Sequence, residues 1–146
     1  MTIDHEQLVG AWKLVSALEV FTDGQCQTEF GPNAAGYLSY SPNGIVTAIL
    51  GDMSRPNSGA SDPQSASDDD LAAMSHGFIA YAGPFTIIPA ADTVVHHLDL
   101  ALFTDWQGGE QLRSVRIDGD YLYITGSPRI TSDGRCFHSE LCWKRF

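Results

Sequence analysis

The feature that most constrains the fold is a succession of about eight strand-like segments. They are rich in β-branched, aromatic and leucine residues and cover residues 12–21, 36–40, 45–50, 78–88, 93–103, 111–117, 121–126 and 136–146. Dipeptides typical of hairpin turns lie between them: Asp23-Gly24, Asn43-Gly44, Asp118-Gly119 and Asp133-Gly134. Short strands in up-and-down order predict an all-β, antiparallel barrel of about eight strands, because closure removes exposed sheet edges.

Two short helices are predicted beside these strands. The first covers residues 4–9, where Asp4 and Gln7 have capping-box spacing and Gly10 provides the stop. The second begins after Ser67, with three aspartates in its first turn, where the helix dipole favours acids, and ends near Gly77. Both are too short to supply a core.

Length and composition narrow the class of protein. The 146 residues predict a single domain over residues 1–146, and no apolar run approaches the roughly 20 residues of a membrane helix. The start lacks a basic-then-apolar leader, and the three cysteines, Cys26, Cys136 and Cys142, show no C-x-x-C pairing. We therefore expect a cytoplasmic protein without disulfides or a membrane segment.

Charge and motifs limit the expected partners. The net charge is −10, from 18 acidic and 8 basic residues, which disfavours binding to nucleic acid. No phosphate-binding glycine motif and no H-x-H or H-E-x-x-H pattern is present, so we expect neither a nucleotide cofactor nor a metal. The expected partner is a small hydrophobic or aromatic ligand. A homodimer is compatible with the sequence, which does not decide the oligomeric state.

Alternation along the strands predicts which side chains face the barrel interior. The polar members of the inward set are Ser16, Tyr40, Tyr81, His96, Gln111 and Arg113. The apolar members include Trp12, Leu98, Leu100 and Trp143, with Phe85 on the same face as Tyr81. From this set we predict that five residues contact a ligand: Ser16, Gln111, Trp12, Phe85 and Trp143. Aromatic residues of a small barrel are also ordinary core, and that alternative stays open.

The adjacent histidines in TVVHHLDLAL must face opposite sides of their strand. His96 shares the apolar face with Val94 and Leu98, whereas His97 falls beside Asp99 on the wetter face as a solvated pair. His96 is interpreted either as a neutral core histidine bonded to Tyr40 or Tyr81, or as a general acid or base. A bulge in this strand would exchange the two histidines.

Arg113 is the strongest single indication of a ligand. A guanidinium facing a barrel interior keeps its charge and needs an acceptor to offset lost hydration. The nearest acids in sequence, Asp105 and Glu110, lie in a loop and are possible partners, and an arginine at the barrel mouth reaching solvent is the other alternative. Without an acid, a carboxylate, enolate or phenolate of a ligand is the natural partner.

Two loop features leave their roles open. Residues 51–67, GDMSRPNSGASDPQSAS, have loop composition and predict either a mobile flap or a plain surface loop. Trp106, in FTDWQGG, either closes one end of the barrel or fastens its loop to it.

Five stretches have a recognisable order and spacing: LVGAWKLVSALEV, GYLSYSPNGIVTA, FIAYAGPFTI, VVHHLDLALFTDWQGGEQLRSVRIDGDYLYIT and LCWKR. Together they span residues 8–145 and resemble the lipocalin-like domain family of bacterial and fungal proteins. The resemblance implies a small barrel with a ligand cavity, found in stand-alone proteins and beside biosynthetic or catabolic enzymes. It supplies no catalytic signature to transfer.

The sequence predicts binding of an apolar molecule that carries a carbonyl, carboxylate or phenol. The leading hypothesis is a cofactor-free isomerase, cyclase or lyase, with His96 as acid or base and Arg113, Tyr40 and Tyr81 holding an oxyanion. The alternative is a carrier or sensor that uses the same residues without chemistry. A structural module would instead have a filled lumen and an internally paired Arg113.

Overall fold

Eight antiparallel strands close into a barrel in the computed structural model, which describes residues 2–146. In chain order the strands are β1 (Gly10–Phe21), β2 (Cys26–Thr28), β3 (Ala34–Tyr40), β4 (Ile45–Asp52), β5 (Phe78–Ile88), β6 (Thr93–His97), β7 (Leu100–Ala101), β8 (Glu110–Asp118), β9 (Tyr121–Gly126), β10 (Arg129–Ile130) and β11 (Cys136–Arg145). The barrel runs β1-β3-β4-β5-β6-β8-β9-β11 and is closed by pairing of β11 with β1. The predicted fold class is thereby confirmed.

Short elements complete the fold. Three small strands, β2, β7 and β10, pair at the barrel's margin with β1, β5 and β11 respectively. The helices are α1 (His5–Leu8) and α2 (Asp68–Ser75), and single 3-10 turns occur at Pro63–Ser65, Pro89–Ala91 and Thr104–Trp106. Within residues 2–146, no helix has the length and apolar character required to cross a membrane.

One end of the barrel, here called the α1 end, is closed by the protein itself. Asp4 and Gln7 form the predicted capping box of α1, which holds the fully buried Leu8 over the barrel. The indole N–H of Trp12 donates to the carbonyl of Leu8 at 3.0 Å. Arg145 donates to two carbonyl oxygens of the same segment at 2.6 and 3.1 Å and lies 4.1 Å above the Trp12 ring.

The opposite end, here called the mouth, is bordered by the ends of β4, β6 and β9 and by two loops. One loop carries α2 and the other carries Trp106. Arg55 fixes the first loop, because its guanidinium donates to the carbonyls of Asp52 and Met74 and lies 4.1 Å from the centre of the Phe78 ring. This part of residues 51–67 is therefore attached to the barrel rim.

Two one-residue register shifts correct the predicted inward set. Between Leu14 and Ser16, β1 shifts its pairing with β11, and Ser16 becomes exposed while Ala17 is buried. A second shift occurs between His96 and Leu100 along β5, and Leu100 is 60% exposed. Side chains alternate faces, so one extra residue turns every following side chain to the other side.

The second shift coincides with a break in the predicted strand 93–103. A Cβ on Gly83 of β5 would lie 1.7 Å from the His97 carbonyl oxygen, so the glycine is needed for this close approach. Just before the break, His97 does not pair with Asp99 as predicted. Its side chain contacts Glu110 at 3.2 Å and Thr86 at 2.9 Å on the barrel's outer side.

Candidate functional site

His96 lies in the barrel interior between two tyrosines. Its Nε2 atom is 2.7 Å from the Tyr40 hydroxyl, and its Nδ1 atom is 2.7 Å from the Tyr81 hydroxyl. Strands β3, β5 and β6 supply the three side chains, all on the buried face of their strands. His96 is 1% exposed, so the predicted inward orientation holds, and it bonds to both of the tyrosines that were considered as alternative partners of a core histidine.

Burial dominates the electrostatics of this triplet. It lowers the pKa of His96 from 6.5 to about 3, assisted by the charges of Arg113 and His97, so the imidazole is neutral at physiological pH. Burial also raises the pKa of Tyr81, against the lowering effect of Arg113, and the pKa of Tyr40 rises for the same main reason. Both nitrogens are engaged, which leaves His96 no free lone pair to accept a proton directly from a ligand.

Arg113 of β8 contributes a positive charge to the same region. Its Nη1 donates to the carbonyl of Leu112 at 3.3 Å. Among residues 2–146, no carboxylate lies within 4.0 Å of the Arg113 guanidinium. Asp105 and Glu110 are therefore not its partners, and Glu110 contacts His97 instead.

A cavity of about 60 Å³ adjoins these residues and faces the mouth. Its apolar wall comes from strands on all sides of the barrel and includes Leu38, Ala48, Leu50, Ile79, Ile124 and Leu141. The polar and aromatic groups of the wall include Tyr81, His96, Trp106, Gln111, Arg113 and Trp143. The lumen is thus incompletely filled, in contrast to the expectation for a purely structural module.

Trp143 of β11 has an unusual indole. The side chain is 2% exposed and lines the cavity, yet its Nε1 atom is the buried side-chain donor without a hydrogen-bond partner in the part of the chain described. An unpaired buried N–H costs about 1–3 kcal/mol relative to a paired one. An acceptor supplied from outside the protein would remove that cost.

A polar cluster at the cavity was not foreseen. Arg129 donates to Glu29 Oε1 at 2.6 Å and to Ser139 Oγ at 2.5 Å, and Ser139 donates to the same carboxylate oxygen at 2.8 Å. All three residues line the cavity. Ser139 shares the inward face with Leu141 and Trp143, so alternation along β11 was a signal for it. Glu29 and Arg129 lie at short marginal strands that were not predicted.

The predicted site residues are divided between the cavity and its surroundings. Tyr81, His96, Gln111, Arg113 and Trp143 line the cavity, whereas the other four do not. Tyr40 is 1% exposed and reaches the cavity only through His96. Trp12 and Phe85 are core residues toward the α1 end, where Phe85 stacks on His5, and Ser16 is on the outer surface.

Trp106 stands between this cavity and a second, larger one at the mouth. Its ring makes edge contacts with Tyr81 and Phe103, at centroid distances of 6.5 and 5.4 Å. The mouth cavity has a volume of about 550 Å³ and shares Trp106, Ile79, Glu29 and Arg129 with the lumen cavity. Trp106 thus helps to close the mouth, one of its two predicted roles.

A family comparison agrees with this architecture. A family model described as a lipocalin-like domain matches residues 9–146, nearly the whole chain. The chain belongs to the lipocalin-like domain family. The resemblance seen in the sequence is thereby confirmed, and this lipocalin-like domain has the expected barrel and interior cavity.

One similar protein is described as a 4'-hydroxy-3'-methoxypropiophenone carrier protein from Aspergillus oryzae. It is 30% identical to this chain over 87 residues, which cover 56% of the chain and 78% of that protein.

Within residues 2–146, this lipocalin-like domain contains no group of three or more histidine, cysteine or acidic side chains placed to hold a metal ion. Its three cysteines are free.

Proposed function

We propose that this lipocalin-like domain binds a small, largely apolar molecule in its lumen and carries it unchanged. The observation that carries the proposal is the lumen cavity, whose largely apolar wall includes the Arg113 guanidinium, which has no carboxylate within 4.0 Å among residues 2–146. Ligand sites commonly combine an apolar wall with a few polar groups that orient the ligand. A carbonyl, carboxylate or phenol oxygen is the matching ligand group.

The similar carrier protein supports this choice of ligand class. The compound in its description combines an aromatic ring with a ketone and a phenol. Such a molecule offers apolar area to the wall formed by Leu38, Leu50 and Ile124, and oxygen acceptors to Arg113. We therefore take aromatic ketones and phenols as the first ligands to test.

Size imposes a condition on binding. A cavity of about 150 Å³ is enough to hold a benzene ring, whereas the lumen cavity measures about 60 Å³. An aromatic ligand therefore needs the Trp106 side chain to turn, which opens the lumen to the mouth cavity of about 550 Å³. The polar end of the ligand then lies at Arg113 and the remainder extends toward the mouth.

Tryptophan fluorescence tests the proposal, because Trp106 and Trp143 line the cavity. Titration with 4'-hydroxy-3'-methoxypropiophenone is expected to change the emission saturably. Ala48→Leu adds volume inside the cavity and is expected to weaken binding at least about tenfold, since a filled site excludes the ligand. Thr47→Leu is the matched control, because Thr47 is the preceding residue of β4 and its side chain points to the opposite face of the strand.

Unfolding curves establish that both variants are folded. Equal affinity of a folded Ala48→Leu protein and of the unchanged protein would contradict binding in the lumen.

Cofactor-free acid/base catalysis is the second candidate. The observation in its favour is the hydrogen-bonded series Tyr40, His96 and Tyr81, which ends beside the charge of Arg113. Because both imidazole nitrogens are engaged, His96 would pass a proton between the tyrosines rather than take one from the substrate. Its predicted role as a direct base is therefore less well supported than a role as a positioning residue.

Incubation in deuterated water separates the two candidates. A carrier returns the ketone without deuterium beyond the uncatalysed level. Catalysis of enolisation adds deuterium next to the carbonyl at a rate that Tyr81→Phe lowers, and that result would overturn the carrier proposal.

A further inference from the structure

The direction of the hydrogen bonds at His96 follows from the surroundings of Tyr40. Tyr40 is 1% exposed and does not line the cavity, and its hydroxyl has His96 Nε2 as its hydrogen-bond partner among residues 2–146. If it accepted a hydrogen from Nε2, its own O–H would be buried without an acceptor, at a cost of an unmade hydrogen bond. We therefore assign Tyr40 as the donor to Nε2.

This assignment determines the rest of the series. A neutral imidazole carries one hydrogen, which must then lie on Nδ1 and be donated to the Tyr81 oxygen. Tyr81 accepts that bond, so its own O–H remains available. Because Tyr81 lines the cavity, this hydrogen is available to a group inside the lumen. The hydrogen bonds from Tyr40 through His96 to Tyr81 thus leave the Tyr81 O–H as a donor facing the lumen.

The charges around the cavity point in the same direction. The charged residues of its wall are Arg113, Arg129 and Glu29, and His96 is neutral, so the wall has one net positive charge. Glu29 is the one carboxylate, and Arg129 and Ser139 both donate to its Oε1. The surplus charge belongs to Arg113. This positive charge belongs to the cavity wall only, whereas the whole chain has a net charge of −10.

We propose that the lumen binds its ligand through an anionic oxygen, a phenolate or a carboxylate, held by the Tyr81 hydroxyl and the Arg113 guanidinium. The inference rests on the proposed function and specifies the ionisation state of the ligand. A phenol entering the site loses its proton to solvent, and the bound oxygen accepts hydrogen bonds from both donors. Gln111 supplies an amide at the same wall. Charged acceptors make stronger hydrogen bonds than neutral ones, so the anion is favoured.

The titratable groups that face this oxygen come from several strands. They are Tyr81 on β5, His96 on β6, Arg113 on β8, Arg129 on β10 and Glu29 next to β2, with Tyr40 of β3 behind His96. His96 stays neutral because of burial, and Glu29 is compensated by Arg129. Ionisation of the ligand itself therefore dominates the pH dependence of binding near neutrality.

The test uses 4-nitrophenol, whose absorption distinguishes phenol from phenolate. We expect its apparent pKa to fall by about one unit or more on binding, which corresponds to at least about tenfold preference for the anion. Benzoate is the carboxylate probe, and 4-nitroanisole is the matched neutral probe that cannot ionise. Benzoate is expected to compete with 4-nitrophenol, whereas 4-nitroanisole is expected to bind about tenfold more weakly.

Two variants locate the effect. Arg113→Met is expected to abolish the pKa shift of the bound phenol, and Tyr81→Phe is expected to weaken phenolate binding about tenfold. Arg116→Met, on the outer face of the same strand, and Tyr121→Phe, on β9, are the matched controls and should leave the shift unchanged. Unchanged phenolate affinity in folded Tyr81→Phe would overturn the assignment of Tyr81 as a donor.

A measurement on the unchanged protein keeps the inference testable if a variant fails to fold. Nitrogen-15 NMR of His96 is expected to show hydrogen on Nδ1 and none on Nε2, and the opposite tautomer would overturn the inference. Equal binding of 4-nitrophenol and 4-nitroanisole, without a pKa shift, would also overturn it while leaving the proposed carrier function intact. Failure of all three probes to bind would instead count against the proposed function itself.

Discussion

The α1 end and the lumen cavity each contain a tryptophan and an arginine, but the hydrogen-bond donors of these residues are satisfied differently in the two places. At the α1 end, Trp12 donates to Leu8, and Arg145 donates to two carbonyls and stacks on the Trp12 ring. In the lumen cavity, the Trp143 N–H has no partner and Arg113 has no carboxylate within 4.0 Å among the described residues. The donors of the α1 end are satisfied by the protein itself, whereas the Trp143 indole in the lumen has no acceptor among residues 2–146.

The largest expected effect tests whether the α1 end is the stable closure. Leu8→Ala should lower the free energy of unfolding by about 2–5 kcal/mol, because it removes a fully buried side chain and leaves a cavity. Leu71→Ala on α2, where the side chain is 36% exposed, is the control and should cost about 0.5 kcal/mol or less. Denaturant unfolding measures both. Similar losses would remove the contrast between the two ends.

The second expected effect concerns pH. The pKa of folded His96 is about 3, below the ordinary 6.5. Between these two pH values the unfolded chain therefore binds a proton at His96 that the folded chain does not. Stability should therefore fall as the pH drops below about 6.5, by up to about 1.4 kcal/mol per pH unit from this residue. His96→Gln should remove that contribution, and His138→Gln at the surface should not. If the unchanged protein, His96→Gln and His138→Gln all showed the same pH dependence of stability, the site at His96 would be well hydrated.

Arg145 at the α1 end and Arg113 at the lumen cavity provide a sharper comparison of the two regions. Arg145→Met should destabilise the protein by roughly 1–3 kcal/mol, since it removes two hydrogen bonds and a ring contact. Arg113→Met should change the unfolding free energy by about 0.5 kcal/mol or less, or even increase it, because a partly buried charge without an acid partner is relieved. A loss at Arg113 equal to that at Arg145 would show that Arg113 stabilises the empty barrel.

The smallest expected effect compares the two indoles. Trp12→Phe and Trp143→Phe remove similar volumes from buried positions, but only the first removes a hydrogen bond. Trp12→Phe should therefore cost about 1 kcal/mol more than Trp143→Phe in thermal or denaturant unfolding. A larger loss for Trp143→Phe would indicate that its N–H has a partner in solution.

Much of the candidate site was predictable from alternation. Tyr40, Tyr81, His96, Gln111 and Arg113 all belong to the inward set and lie in or behind the cavity wall. Alternation works there because each of these strands keeps one register with its neighbours over the residues concerned. Tyr40 and Tyr81 were both considered as partners of His96, and the barrel curvature brings one to each ring nitrogen.

Ser16 and Leu100 show where alternation fails. Each follows a one-residue register shift, which reverses the direction of the side chain. Gly83 within its strand is a local signal for the second shift, but the sequence alone does not say which strand it meets. The close approach at Gly83 depends on two strands meeting, and the shift in β1 depends on how β11 closes the barrel.

The sequence by itself determined the eight barrel strands, their up-and-down order, the closed barrel and the inward face of most strands, because these depend on local turns and a period of two. Only the tertiary structure decided which polar groups meet. Glu29 lies 100 residues from Arg129 and 110 residues from Ser139 in the sequence, and its contact with both is created by barrel closure. That no described residue places an acid beside Arg113 was decided in the same way, since it depends on where every other strand places its carboxylates.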